Sequence, residues 1–300
     1  MRWIVTGAGG QVGRELVALA KQEGVDLRAY DRAGLDITDP LAVASAVAEA
    51  SRDGAPLVVL NAAAYTAVDR AEDDAEAAFA VNRDGPAHLA AACERHGAAL
   101  VHLSTDYVFD GEKGAPYTEA DAPHPLSVYG ESKLAGEEAV RQRSGRHAIL
   151  RTAWVFAGHG HNFVRTMHRL AHERDELRVV ADQTGHPTPA SAIARAAAHL
   201  GRQLMAGGEG GTVHFGGTPA TTWHGLAEAV VEAARRRGPV AVQRVLPIPT
   251  EAYPTPARRP RKVVLCMDAA RESFGLEVPE WRPAVALAVA AFEEVANNQG

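Results

Sequence analysis

Apolar positions in the first half of the chain alternate between two rhythms. Nearly unbroken apolar runs at Arg2–Thr6, Val25–Tyr30, Leu57–Leu60, Ala99–Leu103 and His147–Arg151 read as buried strands. Between them, Gly10–Glu23 sets Val12, Leu16, Leu19 and Ala20 on one helical face. Pro40–Ser51, the Ala-rich stretch Ala75–His96 and Val128–Arg143 read as further helices. Strands covered on both faces and separated by helices pair in parallel through right-handed crossovers. The pattern therefore predicts an α/β fold built on a Rossmann-type doubly wound parallel sheet.

The second half is less regular. Pro and Gly cluster at Thr184–Pro189 and Gly207–Thr218, and a Pro-rich basic stretch runs from Pro247 to Arg261. Helical spacing recurs at Phe163–Arg174, Ala190–Leu204, Thr222–Arg237 and Arg282–Ala296. This half is expected to form a smaller C-terminal domain over residues 154–300, with later strands returning to the sheet of residues 1–153.

Composition narrows the functional classes. With 300 residues and 46% hydrophobic positions the chain can bury a large core. A net charge of −6 gives no general attraction to nucleic acid or to an anionic membrane. The longest apolar runs, such as Ala284–Phe292, fall well short of the roughly 20 residues of a membrane span. The first residues enter a strand at once, without a leader pattern. Two cysteines, Cys93 and Cys266, make no disulfide framework. A cytoplasmic protein without membrane or nucleic-acid partners is expected.

The first strand runs into Gly7-Ala-Gly-Gly10-Gln11-Val12-Gly13 and then a helix. In that context Gly7 permits a tight turn, Gly10 lets backbone approach a pyrophosphate, and Gly13 lets helix pack on strand. The free N–H groups of the helix start complete a dinucleotide site. Asp31, at the end of the second strand, stands where an acid binds an adenosine ribose hydroxyl, and Arg32 beside it suits a 2′-phosphate. Asp36 and Ile37 follow in a loop expected to cover the adenine. NADPH is the expected cofactor, with NADH left open.

Tyr129 and Lys133 lie four apart at the start of a helix, so both face one ligand. Chance would give about 0.08 such pairs in a chain of this composition. Only four of the 31 basic residues are lysines, which makes a retained Lys informative, because Arg does not imitate a compact ammonium. Upstream, Ser104 and Thr105 end a strand, where hydroxyls face the crevice. Thr105, Tyr129 and Lys133 thus form a candidate catalytic set, with Tyr129 as proton donor. His168 and His172, also four apart, lack a clustered ligand set and read as surface histidines.

With these residues the chain resembles the extended short-chain dehydrogenase/reductase superfamily and, within it, is similar to the dTDP-4-dehydrorhamnose reductases. Beyond the glycine turn and the Tyr/Lys pair, the resemblance is carried by Asn61–Glu72, Val81-Asn82, Ser104–Gly111, Arg151–Phe156, Asn162-Phe163, Asp182–Thr188 and Tyr253–Pro260. It implies reduction of the C4 ketone of dTDP-4-dehydro-L-rhamnose to dTDP-L-rhamnose, the last step of dTDP-rhamnose biosynthesis. It further implies that Ala62, Ala63, Ala64 and Tyr65 line the cofactor together with Gln11, Val12, Tyr129 and Lys133. On the substrate side it implies Thr105, Asp106 and Trp154 at the sugar and Arg258 at the diphosphate. A homodimer is left open. Some members hold Mg²⁺ through three glutamates. Glu15 and Glu293 or Glu294 match two of them, but Thr188–Ser191 offers no acid, so Mg²⁺ is not expected. The family's Arg-Pro segment commonly continues Asn-Ser, whereas Arg261-Lys262-Val263 stand here. Two alternatives remain: a reductase of another dTDP-4-keto-6-deoxy sugar, from dihydrostreptose or antibiotic-sugar chemistry, and a non-catalytic NADP-binding regulatory subunit.

Overall fold

A computed structural model describes residues 1–297. The first half runs β1 (Arg2–Thr6), α1 (Gln11–Gln22), β2 (Asp26–Tyr30), α2 (Pro40–Ala50), β3 (Leu57–Asn61), α3 (Val68–Ala71), α4 (Ala75–Phe79), α5 (Gly85–His96), β4 (Ala99–Thr105), α6 (Val128–Arg143) and β5 (His147–Thr152). The second half runs β6 (Val155–Phe156), α7 (Phe163–Glu173), β7 (Glu176–Val180), β8 (Thr184–Gly185), β9 (Thr188–Pro189), α8 (Ala190–Met205), β10 (Gly211–His214), β11 (Thr221–Thr222), α9 (Trp223–Arg235), β12 (Arg244–Ile248), α10 (Asp268–Glu272) and α11 (Trp281–Asn297). Residues 298–300 of the expected second domain lie outside the described residues.

Six strands form one parallel sheet in the order β2-β1-β3-β4-β5-β10. The chain leaves β1 for β2 on one side and resumes at β3 on the other, so the order reverses between β1 and β3. Ligands of open α/β sheets bind beyond the strand ends at such a switch. Strand periodicity sorts the apolar side chains onto two faces. Trp3, Val5, Val58, Leu60, Val101 and Leu150 meet α1 and α8. Ile4, Val59, Leu100 and Ile149 meet α2 and α5. Each leucine so buried contributes about 1.5–3 kcal/mol, and the strand ends that carry the site rest on this packed sheet.

β10 returns residues 211–214 to the sheet beside β5, and α8 covers it. A second core gathers α7, α9 and α11 over the parallel pair β7–β12. That pair has no counterpart in the sequence reading. Pro247 sits in β12, and a proline is tolerated there because β12 pairs on one side only. Among the described residues no helix is long and apolar enough to cross a membrane.

The helix expected at Ala75–His96 is broken. α4 stops at Phe79, a π-helical turn covers Ala80–Asp84, and α5 resumes at Gly85. Pro86 has no N–H to give the Asn82 carbonyl, so the regular ladder cannot continue there. The wide turn aims the buried Asn82 side chain at the Tyr65 backbone and the Ser132 hydroxyl.

Candidate active site

The crevice begins at the glycine turn. Gly7 has φ +68, and a Cβ there would lie 2.6 Å from the Ala63 nitrogen. A Cβ on Gly13 would lie 2.0 Å from the Gly7 carbonyl oxygen, which shows how closely α1 packs on the turn. Gly10 is the N-cap of α1, and no side chain caps that end. The helix start followed by Gln11 and Val12 thus presents backbone N–H groups toward the crevice, which suits a pyrophosphate.

At the end of β2, Asp31 and Arg32 are exposed, and Asp31 Oδ1 accepts from the Gly34 N–H at 2.9 Å. Asp36 accepts from the Thr38 N–H and hydroxyl, which together hold its carboxyl below the usual range. Ile37 is only 4% exposed and packs in the core against Gly85, leaving Asp36 as the polar member of that pair. Ala62–Tyr65 form a half-buried loop running past Gly7. Asn82 holds that loop open by accepting from the Tyr65 N–H at 2.8 Å and donating to its carbonyl.

β4 and the start of α6 bring the candidate catalytic groups together. Ser127 caps α6 by accepting from the Gly130 N–H, which fixes where Tyr129 emerges. Thr105 is 5% exposed, donates to Asp106 Oδ1 at 3.1 Å and accepts from the Tyr107 N–H at 3.2 Å. Burial pushes the Tyr129 phenol up to about 12, Thr105 pulls it down by hydrogen bonding, and the Asp106 charge adds to the rise. Tyr107 stands edge-on to Tyr129, with ring centroids 5.5 Å apart. Asp106 is raised to about 7 by burial, against bonds from Thr105 and backbone N–H groups.

Lys133 is 2% exposed and its Nζ donates to the Leu103 carbonyl at 2.6 Å. Burial lowers it to about 8, with Glu137 opposing. Its bonds run to β4 rather than to the Tyr129 phenol, so it meets Tyr129 as a neighbour on one helix face.

Ser104 departs from the sequence expectation. Adjacent strand residues point opposite ways, and the Ser104 hydroxyl donates to Glu137 Oε1 at 2.6 Å, away from Thr105's partners. Glu137 is also gripped by Arg151, whose Nε and Nη2 lie 2.8 and 2.7 Å from its two oxygens.

On the substrate side, Trp154 is half-buried with φ +46, an outlier for a bulky residue. Trp223 stacks on it with centroids 3.6 Å apart and planes 8° apart. The Trp223 indole N–H donates to Gln183 Oε1 at 3.2 Å. Sequence reading missed Trp223, because a Trp in the first turn of an amphipathic helix reads as core. Arg258 is exposed beside a cavity of about 360 Å³ that Tyr253, Thr255 and Arg259 also line. Arg259 is the half-buried member of the pair, and it bonds Asp69 through both Nη atoms, at 2.9 and 2.8 Å.

His168 is not a surface residue. Its side chain is 13% exposed, because α7 turns it toward α11, where Glu293 lies 3.6 Å away. His168, His172 and Glu293 form a cluster, but Arg237 already pairs with Glu293. Glu15 is engaged by His159 Nε2 at 2.8 Å.

A strand-end hydroxyl, a phenol and an ammonium beside a dinucleotide crevice mark the short-chain dehydrogenase/reductase class. Within that class the chain belongs to the family described as RmlD substrate binding domain, whose model matches residues 1–294. It is 49% identical over 298 residues to a dTDP-4-dehydrorhamnose reductase of Burkholderia thailandensis, covering 96% of this chain and 98% of that one. A dTDP-4-dehydrorhamnose reductase structure from Clostridium acetobutylicum superposes with a TM-score of 0.89 at 36% identity, covering 98% of this chain and 100% of that one. Another, from Bacillus anthracis in complex with NADP, has a TM-score of 0.87 at 34% identity, covering 96% and 98%.

Proposed function

We propose that this chain reduces the C4 ketone of dTDP-4-dehydro-L-rhamnose to give dTDP-L-rhamnose, with NADPH as reductant. The observation that carries this reading is the meeting of Thr105, Tyr129 and Lys133 where β4 and α6 face the crevice. When bound, the nicotinamide supplies a hydride to C4. The residues present suit such a cofactor, because the start of α1 is uncapped and closely backed by the glycine turn. Gly7–Gly13 and Ala62–Tyr65 hold it, with Asp31, Arg32 and Asp36 at the adenosine end.

Tyr129 protonates the developing O4 alkoxide. A phenol raised to about 12 keeps its proton at neutral pH and gives it up only to a stronger base such as an alkoxide. Thr105 orients the phenol, and Lys133 adds positive charge below it and holds the nicotinamide ribose. Asp106 and Trp154 line the sugar, with Arg258 at the diphosphate. Residues 1–153 supply the cofactor side and 154–300 mainly the substrate side, although β10 and α8 join the sheet. A cytoplasmic setting suits free thiols at Cys93 and Cys266.

The test is NADPH oxidation on addition of the dTDP-4-keto sugar, followed by identification of the product. dTDP-L-rhamnose is expected. A different C4 epimer or sugar places the chain in another dTDP-sugar route, and NADPH binding without oxidation makes it a regulatory subunit.

A further inference from the structure

A file of buried polar side chains runs beneath Lys133. Thr6 Oγ1 donates to Asn61 Oδ1 at 2.7 Å, and the Ala63 backbone N–H donates to the same oxygen at 3.2 Å. A backbone N–H cannot exchange roles, so the Asn61 oxygen is pinned on that side. Its Nδ2 therefore points the other way, 2.9 Å from His102 Nδ1. An amide nitrogen only donates, so Nδ1 must accept. A neutral imidazole then carries its hydrogen on Nε2. His102 is fully buried, and burial together with the Lys133 charge holds it well below its usual range, so the ring is neutral. Its Nε2 lies 3.4 Å from Lys133 Nζ. An N–H, not a lone pair, faces the lysine.

We propose that His102, locked in this tautomer by Asn61, is a positioning residue that favours the neutral amine of Lys133 and so sets the pH above which the working ammonium is lost from beside Tyr129. The proposal rests on the reading of Tyr129 and Lys133 as the proton-delivering pair. An N–H directed at an ammonium is repelled, whereas directed at a free amine it is a hydrogen bond. Other groups facing Lys133 do not reverse this preference. Glu137, one turn on, favours the ammonium, but Arg151 and Arg141 already neutralise it. The Leu103 carbonyl accepts from either form, more strongly from the ammonium, so it opposes His102 but leaves the His102 N–H facing the lysine. Tyr129, one turn back on α6, is neutral, and Asp106 bonds Thr105 rather than Lys133.

Two spectroscopic readouts test this without any turnover. Histidine-selective ¹⁵N labelling reports the tautomer of the buried ring, and ¹³Cε labelling of the four lysines follows the titration of Lys133. We expect a protonated Nε2 and a bare Nδ1 across neutral pH. Asn61→Asp offers only acceptors, so the ring should reverse to Nδ1–H and leave Nε2 to accept from the ammonium. Lys133 should then titrate ~1 pH unit higher or more. His102→Met, which deletes the donor, should also raise it by ~1 unit. His102→Gln, which can accept from Asn61 and donate to Lys133, should stay near wild type. The alkaline limb of sugar reduction should rise in Asn61→Asp and His102→Met and stay in place in His102→Gln. An Nδ1–H or doubly protonated ring in the wild type overturns the proposal. So does an unmoved Lys133 titration in both Asn61→Asp and His102→Met. A chain that shows the expected spectra but reduces no dTDP-sugar would refute the enzymatic reading alone.

Discussion

Helix α6 buries two opposite charges one turn apart and treats them differently. Glu137 is fully buried and fully answered: Arg151 grips both its oxygens, Ser104 donates to one, and Arg141 to the other. Burial alone would raise its carboxyl, but these partners hold it below the usual range. Lys133 is as deeply buried, yet the partner it bonds is a carbonyl, and its other polar neighbour is a neutral imidazole 3.4 Å away. Asp106, next to Thr105 at the end of β4, is likewise raised, to about 7, and no cation pairs with it among the described residues. The difference separates structural charge from chemical charge. A paired ion resists changing its proton count, whereas an unpaired buried ion sits near the pH where a proton moves easily.

The largest test of this contrast is Tyr129→Phe, which keeps the ring edge-on to Tyr107 and deletes the donated proton. Reduction should fall ~10²–10⁴-fold with cofactor affinity and thermal midpoint nearly unchanged. Single-turnover NADPH oxidation measures it. Near-wild-type reduction would leave Tyr129 and Lys133 as a helix pair without chemistry.

On the structural side, Arg151→Met leaves the Glu137 carboxylate buried without its main partner, which should cost about 3–5 kcal/mol of stability. Adding Glu137→Met should recover most of that loss, because no charge is then stranded. Urea denaturation of both variants and of Glu137→Met decides the point. A double variant as weak as Arg151→Met would mean that the Arg151 stack on Phe109, rather than the ion pair, carries the stability.

The sheet and the pairing of Tyr129 with Lys133 were legible in the sequence because both follow from spacing. Strand and helix periods place residues on faces, and a separation of four places two side chains together. The partners of those residues were not legible. His102, Asn61 and Arg151 come from three different strands, and only register brings them under α6. Ser104 was misassigned because spacing along β4 shows alternation without showing which face α6 covers. The break at Pro86 was missed, because the alanine run around it reads as one continuous helix over Ala75–His96. Trp154 was marked by its motif, whereas its stack on Trp223 joins segments 69 residues apart by number and depends on the second core.

A pH comparison sharpens the contrast at Asp106. Its folded carboxyl lies at about 7, above the ordinary 3.8. A group raised on folding contributes its full stability below the unfolded value and loses it as pH rises through the folded one. Asp106→Asn removes the buried charge while keeping the shape. The variant should match wild type near pH 4 and exceed it by ~2–4 kcal/mol above pH 7. Thermal midpoints at the two pH values test this, and a gap independent of pH would show that Asp106 is already compensated.

The finest test uses two neighbours on one strand. Ser104 and Thr105 both end β4 with a buried hydroxyl, but Ser104 serves Glu137 and Thr105 serves Tyr129 and Asp106. Ser104→Ala should cost about 1.5–3 kcal/mol of stability, the range for a hydrogen bond to a charged group, and leave turnover unchanged. Thr105→Val keeps the β-branched shape, so stability should shift by less than ~1.5 kcal/mol while turnover falls ~10-fold, a smaller loss than at Tyr129 because water can replace one hydrogen bond. Equal effects of the two substitutions on turnover would place both hydroxyls in the crevice and erase the boundary between the compensated and uncompensated sides of α6. Opposite effects, read from denaturation and kinetics on the same two proteins, would locate that boundary between two consecutive residues.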